Sequence, residues 1–200
     1  MSIPTQPARE QAEETLAYIR ETMESASTFT GVSGWGLVGV GGIGLIASWL
    51  SWATCSPEIP CGTPAFLRVW VPAALAAVAV AAVANVAKAR RLEIPLWTGS
   101  LRKMAWGLAP ALAAGAFLTQ ALTAQEAPHL LPGTWLALYG AGVTASGTFS
   151  VQAVRWMGLA MLALGSLALL LANLGLVLLA VGFGGVHVAF GLYIAQQHGG

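Results

Sequence analysis

The sequence predicts an all-α membrane protein with six transmembrane helices and an amphipathic N-terminal helix on the cytoplasmic side. Hydrophobic residues make up 56% of the 200 residues and charged residues only 8%, whereas roughly a quarter of the residues are charged in soluble domains. The mean hydropathy is +0.72. Long apolar segments recur between short polar connections, which is typical of a bundle of membrane-spanning helices.

Residues 1–30 are predicted to form a helix outside the bilayer, and residues 31–200 the six-helix transmembrane domain. Five apolar side chains at spacings of three and four share one face of this helix: Ala12, Leu16, Ile19, Met23 and Ala26. Its other face is net acidic, whereas helices that bind anionic lipid are rich in Lys and Arg. We therefore expect it to pack on protein, either on the basic loop from Lys88 to Lys103 or on a partner subunit.

Six segments are long and apolar enough to cross the roughly 30 Å of hydrocarbon in a bilayer. They run Val32 to Trp52, Val69 to Ala87, Met104 to Leu122, Thr134 to Val151, Val154 to Ala172 and Leu174 to Ala195. A single helix over the last two would measure about 63 Å, so the chain must reverse between Leu171 and Gly175. Asn173 and Gly175 favour a turn at this position.

The distribution of basic residues predicts that both termini are cytoplasmic. Eight Lys and Arg fall on the side that holds the N-terminus: Arg9, Arg20, Lys88, Arg90, Arg91, Arg102, Lys103 and Arg155. The opposite side has only Arg68, and cytoplasmic loops carry the excess of positive charge. Seven Trp also lie near predicted span ends, where indole rings favour the headgroup region: Trp35, Trp49, Trp52, Trp70, Trp106, Trp135 and Trp156.

Cys55 and Cys61 are the only cysteines and lie in the first external loop. An oxidising exterior favours a disulfide between them, which would stabilise so short a loop by about 2 kcal/mol on the chain-entropy model. The alternative is a metal site that adds His129, Glu58 or Glu126, but their spacing matches no known ligand pattern. We expect the disulfide and no metal.

His187 is the titratable side chain that lies deep in a predicted span, and Gly184 and Gly191 share its helix face. It either hydrogen-bonds a neighbouring helix, with the glycines serving close packing, or ligates haem or chlorophyll. We expect the first role. The expected hydrogen-bond partners are hydroxyls of the fourth span: Thr144, Ser146 and Thr148.

Small residues at helical spacing predict close contacts between the spans, because backbones approach closely where side chains are small. They are Gly41, Gly44, Ser48, Gly107, Ala111, Gly115, Gly142, Ser146, Gly185 and Ala189. The sequence has no paired carboxylates at mid-depth, no nucleophile with a base and no metal cluster, so we expect no catalytic residue and no enzyme. The net charge of +1 gives no reason to expect a nucleic-acid partner.

Three stretches carry a resemblance to a known group of proteins: residues 21–36, residues 131–140 and residues 182–191 with the terminal Gly-Gly. They resemble an uncharacterised family of small six-helix integral membrane proteins of the kind found in acidobacterial and related genomes. The resemblance covers most of the chain. It implies a six-helix fold in a bacterial inner membrane, and it implies no catalytic residue.

Two functions remain as expectations. The first is a non-catalytic accessory subunit of a larger inner-membrane complex, such as one of respiratory or photosynthetic electron transfer, with lipid and other membrane subunits as partners. In such a complex the cofactor would be bound lipid, chlorophyll or haem. The alternative is a small transporter or channel for a neutral solute, which requires a continuous polar cavity between the fourth and sixth spans.

Overall fold

The protein is an all-helical bundle in a computed structural model that describes Gln11, residues 13–16, Tyr18, Ile19 and residues 32–55, 62–93 and 99–198. No strand occurs among these residues. The long helices are α1 (Gly34–Thr54), α2 (Thr63–Arg91), α3 (Gly99–Ala124), α4 (Leu131–Ser146) and α5 (Gln152–Leu170). The chain then forms α6 (Gly175–Leu179), a π-helical segment (Ala180–Val186) and α7 (His187–His198). These last three form one continuous helix, which we call the C-terminal helix.

Local signals in the sequence explain where the first helices begin. Ser33 caps α1, since its hydroxyl accepts a hydrogen bond of 3.1 Å from the backbone N–H of Gly36. Pro64 and Pro132 lie in the first turns of α2 and α4, where a missing backbone N–H costs nothing. Two further prolines, Pro72 and Pro110, lie inside α2 and α3.

The chain is a multi-pass membrane protein. Within the described ranges, five helical stretches are long and apolar enough to cross a membrane: Gly34–Thr54, Thr63–Arg91, Leu101–Ala124, Gln152–Leu170 and Ala172–Gln197. The predicted fourth span, Thr134 to Val151, corresponds to α4, which is only 16 residues long. It ends at Ser146 because the tight turn Gly147–Phe149 follows.

Despite its length, α4 is the central helix of one half of the bundle. It runs antiparallel to α5 over the whole length of that helix, with Gly133 against Leu169 at one end and Gly147 against Arg155 at the other. It also runs antiparallel to α3, where Gly115 lies against the ring of Trp135. Leu131 and Leu136 on α4 are fully buried.

The other half consists of α1 between α2 and the C-terminal helix. Gly34 of α1 lies against the backbone of Ala195, and Gly44 lies against the backbone of Phe183, so these two helices are antiparallel and in backbone contact. The backbone N–H of Ser33 donates to the Asn85 side chain of α2 at 2.9 Å. The C-terminal helix joins the halves by packing on α4.

The predicted chain reversal between the last two spans is confirmed. α5 ends at Leu170, the turn Ala172–Leu174 follows, and Gly175 lies against Pro132 at the start of α4. The antiparallel pairs place six basic residues at one end of the bundle, which we call the basic end: Lys88, Arg90, Arg91, Arg102, Lys103 and Arg155. Arg68 lies near the opposite end, close to the start of α2.

The predicted N-terminal helix falls mostly outside the described residues. Gln11, residues 13–16, Tyr18 and Ile19 are helical and exposed. Leu16 is 64% exposed and Ile19 is 46% exposed, and the packing of this face on the loop from Lys88 to Lys103 or on a partner subunit stays a prediction. The remaining residues of that face, Ala12, Met23 and Ala26, lie outside the described part of the chain.

Candidate functional site

His187 lies at the centre of the bundle with 0% of its side chain exposed. Its Nε2 is 3.2 Å from the hydroxyl of Tyr139 on α4. Its Nδ1 is 3.4 Å from the backbone carbonyl oxygen of Gly182, five residues earlier in its own helix. A neutral imidazole satisfies both contacts when Nδ1–H donates to Gly182 and Nε2 accepts from Tyr139.

The π-helical segment explains the contact with Gly182. A π-helix is wider than an α-helix and offsets backbone pairing by one residue, which leaves the carbonyl of Gly182 within reach of a side chain five positions later. Three of the seven residues in the segment are glycines: Gly182, Gly184 and Gly185. Such segments occur frequently at functional sites, so this part of the C-terminal helix is the candidate site.

Aromatic rings continue from His187 toward the end of the bundle where α2 starts. The Phe183 ring stacks on the imidazole with centroids 6.0 Å apart, and it contacts the Tyr139 ring at 5.1 Å. Trp70 lies 5.6 Å from Phe183, and Phe66 lies 5.9 Å from Trp70. We call these five residues the aromatic cluster. It joins α2, α4 and the C-terminal helix.

The hydrogen-bond partners predicted for His187 are wrong. Thr144 donates to the carbonyl of Gly140 in its own helix, and Thr148 donates to that of Ala145. Ser146 does bridge two helices, but its partner is the carbonyl of Met104 at 2.8 Å. A helical hydroxyl readily donates to the carbonyl one turn earlier, whereas Tyr139 reaches across the interface because its hydroxyl sits at the end of a ring.

The interface between α4 and the C-terminal helix is in direct apolar contact. A Cβ on Gly182 would overlap the side chain of Leu136, and the Tyr139–His187 bond lies beside this contact. Within the described residues, no buried side-chain nitrogen or oxygen lacks a hydrogen-bond partner. The Tyr139–His187 hydrogen bond therefore adds a polar contact to an interface that is otherwise apolar at this point.

Most of the small residues predicted at helix contacts do lie there. A Cβ on Gly41 would be 2.9 Å from the Gly184 carbonyl oxygen, and one on Gly107 would be 2.9 Å from the Ser146 hydroxyl. Gly142 lies against Leu108 and Ala111. Gly185 is an exception, because no heavy atom lies within 4 Å of the position of its missing Cβ.

Two of the seven Trp near predicted span ends donate hydrogen bonds within the bundle. Trp70 donates from Nε1 to the hydroxyl of Ser51 at 3.0 Å, and Trp135 donates to that of Thr119 at 3.0 Å. The other five are exposed: Trp35, Trp49, Trp52, Trp106 and Trp156. The sequence could not distinguish the two hydrogen-bonded Trp from the five exposed ones. A position near the end of a span does not show whether the side chain faces the bundle or the membrane.

Sequence reasoning missed the role of Lys88, which it placed in a cytoplasmic loop. α2 continues to Arg91, so Lys88 lies on the helix and is buried with 4% exposure. Its Nζ donates to the backbone carbonyl of Val32 at 3.0 Å and so holds the start of α1. The sequence did contain a signal for this role, because the spacing of Asn85 and Lys88 places both polar side chains on one face of a helix. Both contact the chain just before α1.

The predicted disulfide lies partly outside the described residues. Cys55 is buried and disulfide-bonded, whereas Cys61 falls among the residues that are not described. The Cys55–Cys61 pairing therefore stays a prediction. No group of three or more His, Cys, Asp or Glu that could hold a metal occurs in the described part of the chain.

Ligation of haem or chlorophyll by His187 also stays a prediction. Both ring nitrogens have protein partners in this conformation, so a metal could bind Nε2 only after Tyr139 moves away. Comparisons with protein-family models, curated proteins and solved structures give no match to this chain. The functional argument therefore rests on the geometry of the chain itself.

Proposed function

We propose that this protein is a non-catalytic structural subunit of a larger membrane assembly. The observation that carries the proposal is the exposure of α2, where no residue from 67 to 87 is buried. Its exposed positions include the alanines Ala74, Ala76, Ala79 and Ala82, interspersed with larger apolar side chains such as Leu75. Small residues are enriched where membrane helices pack against one another, so this surface suits a helix of another subunit.

The closed centre of the bundle supports the same proposal. The direct contact of Leu136 with Gly182 and the hydrogen bond between Tyr139 and His187 lie where a transport pathway would need a polar cavity. Each of the fourth-span hydroxyls expected to line such a cavity already donates to a backbone carbonyl. A transporter or channel for a neutral solute is therefore the less favoured function.

The proposal includes six membrane crossings with both termini in the cytoplasm of a bacterium, in its inner membrane. α4 supports the sixth crossing because this helix and Gly147, which follows it, pack along most of α5, from Gly133 beside Leu169 to Gly147 beside Arg155. The basic end supports the orientation because positive residues favour the cytoplasmic side. A place in respiratory or photosynthetic electron transfer remains part of the proposal on the sequence argument alone.

Site-specific photo-crosslinking in native membranes tests the proposed subunit contact. A photoreactive amino acid replaces Ala79 on α2 in one variant and Ala113 on α3 in the control, both being exposed alanines in long helices. We expect a discrete crosslink to one other polypeptide from position 79 and none from position 113. Crosslinks to lipid alone at both positions would contradict the proposal.

A further inference from the structure

Three helices pack on α4 and leave its fourth side open. Gly133 and Gly140 contact α5, whereas Gly142 and Ser146 contact α3. Because successive helical residues lie about 100° apart, these two contact lines run along nearly opposite sides of α4. Leu136, which contacts the C-terminal helix, lies between them on the inner side. The outer side of α4, opposite Leu136, is therefore left without a neighbouring helix among the described residues.

Small and apolar side chains line this open side. Ala141 and Ala145 lie on it, midway between the two contact lines, and both are exposed. α3 and α5 flank these alanines, so α4 forms the floor of a shallow groove, which we call the α4 groove. On the α5 side its wall includes Leu159, which is 36% exposed, whereas the buried Met157 and Met161 face the bundle interior. The α4 groove therefore offers a hydrocarbon chain an apolar surface along the helices.

The α4 groove ends between two cations at the basic end. Arg155 is exposed one turn before Leu159 on α5, and its Cα would be 2.7 Å from a Cβ on Gly147, the residue that follows α4. Lys103 of α3 lies on the other side, with its Nζ 5.8 Å from the centroid of the exposed Phe149 ring in the same turn. Both cations therefore lie beside the turn that closes the groove.

The charge around this turn is positive. Glu126 is the one acidic residue in the continuous described range 99–198, and it follows α3 at the opposite end of the bundle. Neither α3 nor α5 has an acidic residue in its first turn. Trp156, beside Arg155, is 56% exposed, as expected of an indole ring in the headgroup region. The groove thus combines positive charge at headgroup depth with apolar surface below it.

We propose that the α4 groove binds an anionic glycerophospholipid, with its phosphate between Lys103 and Arg155 and an acyl chain along Ala141 and Ala145. Basic residues between membrane helices recognise anionic headgroups in this way. A guanidinium group matches phosphate geometry, and an ammonium group adds a point charge. This inference goes beyond the proposed function, because lipid binding on the outer face of α4 requires no partner subunit on α2.

The test titrates phosphatidylglycerol or phosphatidylcholine into the purified full-length protein in a neutral detergent and follows the melting temperature. We expect a saturable rise with phosphatidylglycerol that is weakened by salt. The variant Lys103→Gln, Arg155→Gln should bind phosphatidylglycerol at least about tenfold more weakly, since each basic residue near a membrane surface contributes roughly fivefold. The matched control Arg90→Gln, Arg91→Gln removes two exposed arginines from the same end of the bundle and should bind as the wild type does.

A second variant tests the acyl-chain part of the site. Ala141→Trp fills the α4 groove and leaves both cations in place, so it should abolish the saturable rise. Its control is Ala113→Trp, which places the same ring at an exposed position on the side of α3 away from α4. The control should keep the response of the wild type, and equal responses of the two Trp variants would contradict binding in the groove.

Further results would overturn the inference. Equal stabilisation by both lipids, or equal losses in the two charge variants, would remove the specific role of Lys103 and Arg155. Equal stabilisation by glycerol 3-phosphate would assign the cations to a soluble phosphate. Binding that appears only in the variant Glu13→Gln, Glu14→Gln would assign them to the acidic N-terminal segment. Should the double variant not fold, Arg155→Gln alone tests the same point with an expected loss of about fivefold.

Discussion

Tyr139 of α4 and His187 of the C-terminal helix are joined by a hydrogen bond of 3.2 Å at the centre of the bundle. This bond links the α3–α4–α5 half to the half formed by α1, α2 and the C-terminal helix. It also leaves both imidazole nitrogens with protein partners, since Nδ1 faces the Gly182 carbonyl. His187 therefore has a structural role in this conformation, and its contacts define what its replacement should change.

Removal of the Tyr139 hydroxyl should weaken the contact between the two halves of the helical bundle. Tyr139→Phe keeps the ring contacts but leaves Nε2 of His187 without a partner, and we expect a loss of about 1 kcal/mol in the free energy of unfolding. The control Thr144→Val removes a hydroxyl that bonds only within α4 and should cost clearly less. Reversible unfolding in mixed micelles measures both, and equal losses would contradict the structural role of the Tyr139–His187 bond.

The absorption spectrum tests whether His187 serves packing or binds a pigment. We expect the purified wild-type protein and the variant His187→Ala to be equally colourless, because the imidazole is already satisfied by Tyr139 and Gly182. The variant should melt at a lower temperature, since it leaves a cavity at a fully buried position. A haem or chlorophyll band that disappears in the variant would show that Tyr139 moves away and that His187 binds the cofactor.

Glycine at position 165 should be essential for the contact between α5 and α4. A Cβ there would overlap the backbone of Ala137, so Gly165→Ala must push the helices apart, and we expect a loss of about 2 kcal/mol or more in unfolding free energy. Gly185→Ala is the matched control, since no atom lies within 4 Å of its Cβ position. Similar destabilisation by both substitutions would rule out backbone proximity as the cause.

The sequence predicted the long helices and the chain reversal, but it did not predict where α4 ends. Apolar length predicted the helices, because crossing hydrocarbon requires a minimum number of residues in any arrangement. The chain reversal after Leu171 followed from the same length argument. The extent of α4 did not, because membrane helices tolerate small residues such as Ser146 and Gly147, so the sequence did not mark the tight turn Gly147–Phe149 that follows the helix.

The candidate site was predicted in part. Depth and neighbouring glycines singled out His187, but its partner depends on how far the C-terminal helix is rotated against α4. The π-helical segment Ala180–Val186 sets that rotation, and helical periodicity contains no signal for an offset of one residue. Hence the sequence favoured the hydroxyls of Thr144, Ser146 and Thr148, and the bond to Tyr139 was missed.

Reporter fusions test the six crossings and their direction. A reporter that is active only in the cytoplasm should be active after Gly200 and silent after Pro60, because six crossings return the chain to the side where it started. α4 decides this outcome, since without its crossing the two termini would lie on opposite sides. Activity at Pro60, or silence at Gly200 in a stably expressed fusion, would contradict the proposed topology.

Native gel electrophoresis of source membranes in mild detergent tests the proposed subunit role most directly. We expect the 20.6 kDa chain to migrate within one discrete larger complex that contains a second polypeptide in constant ratio. Replacing the exposed Ala79 on α2 by Trp should release the chain from that complex without lowering its own melting temperature, because the side chain is not part of the bundle interior. Migration of the wild-type protein as a free monomer under the same conditions would contradict the proposal.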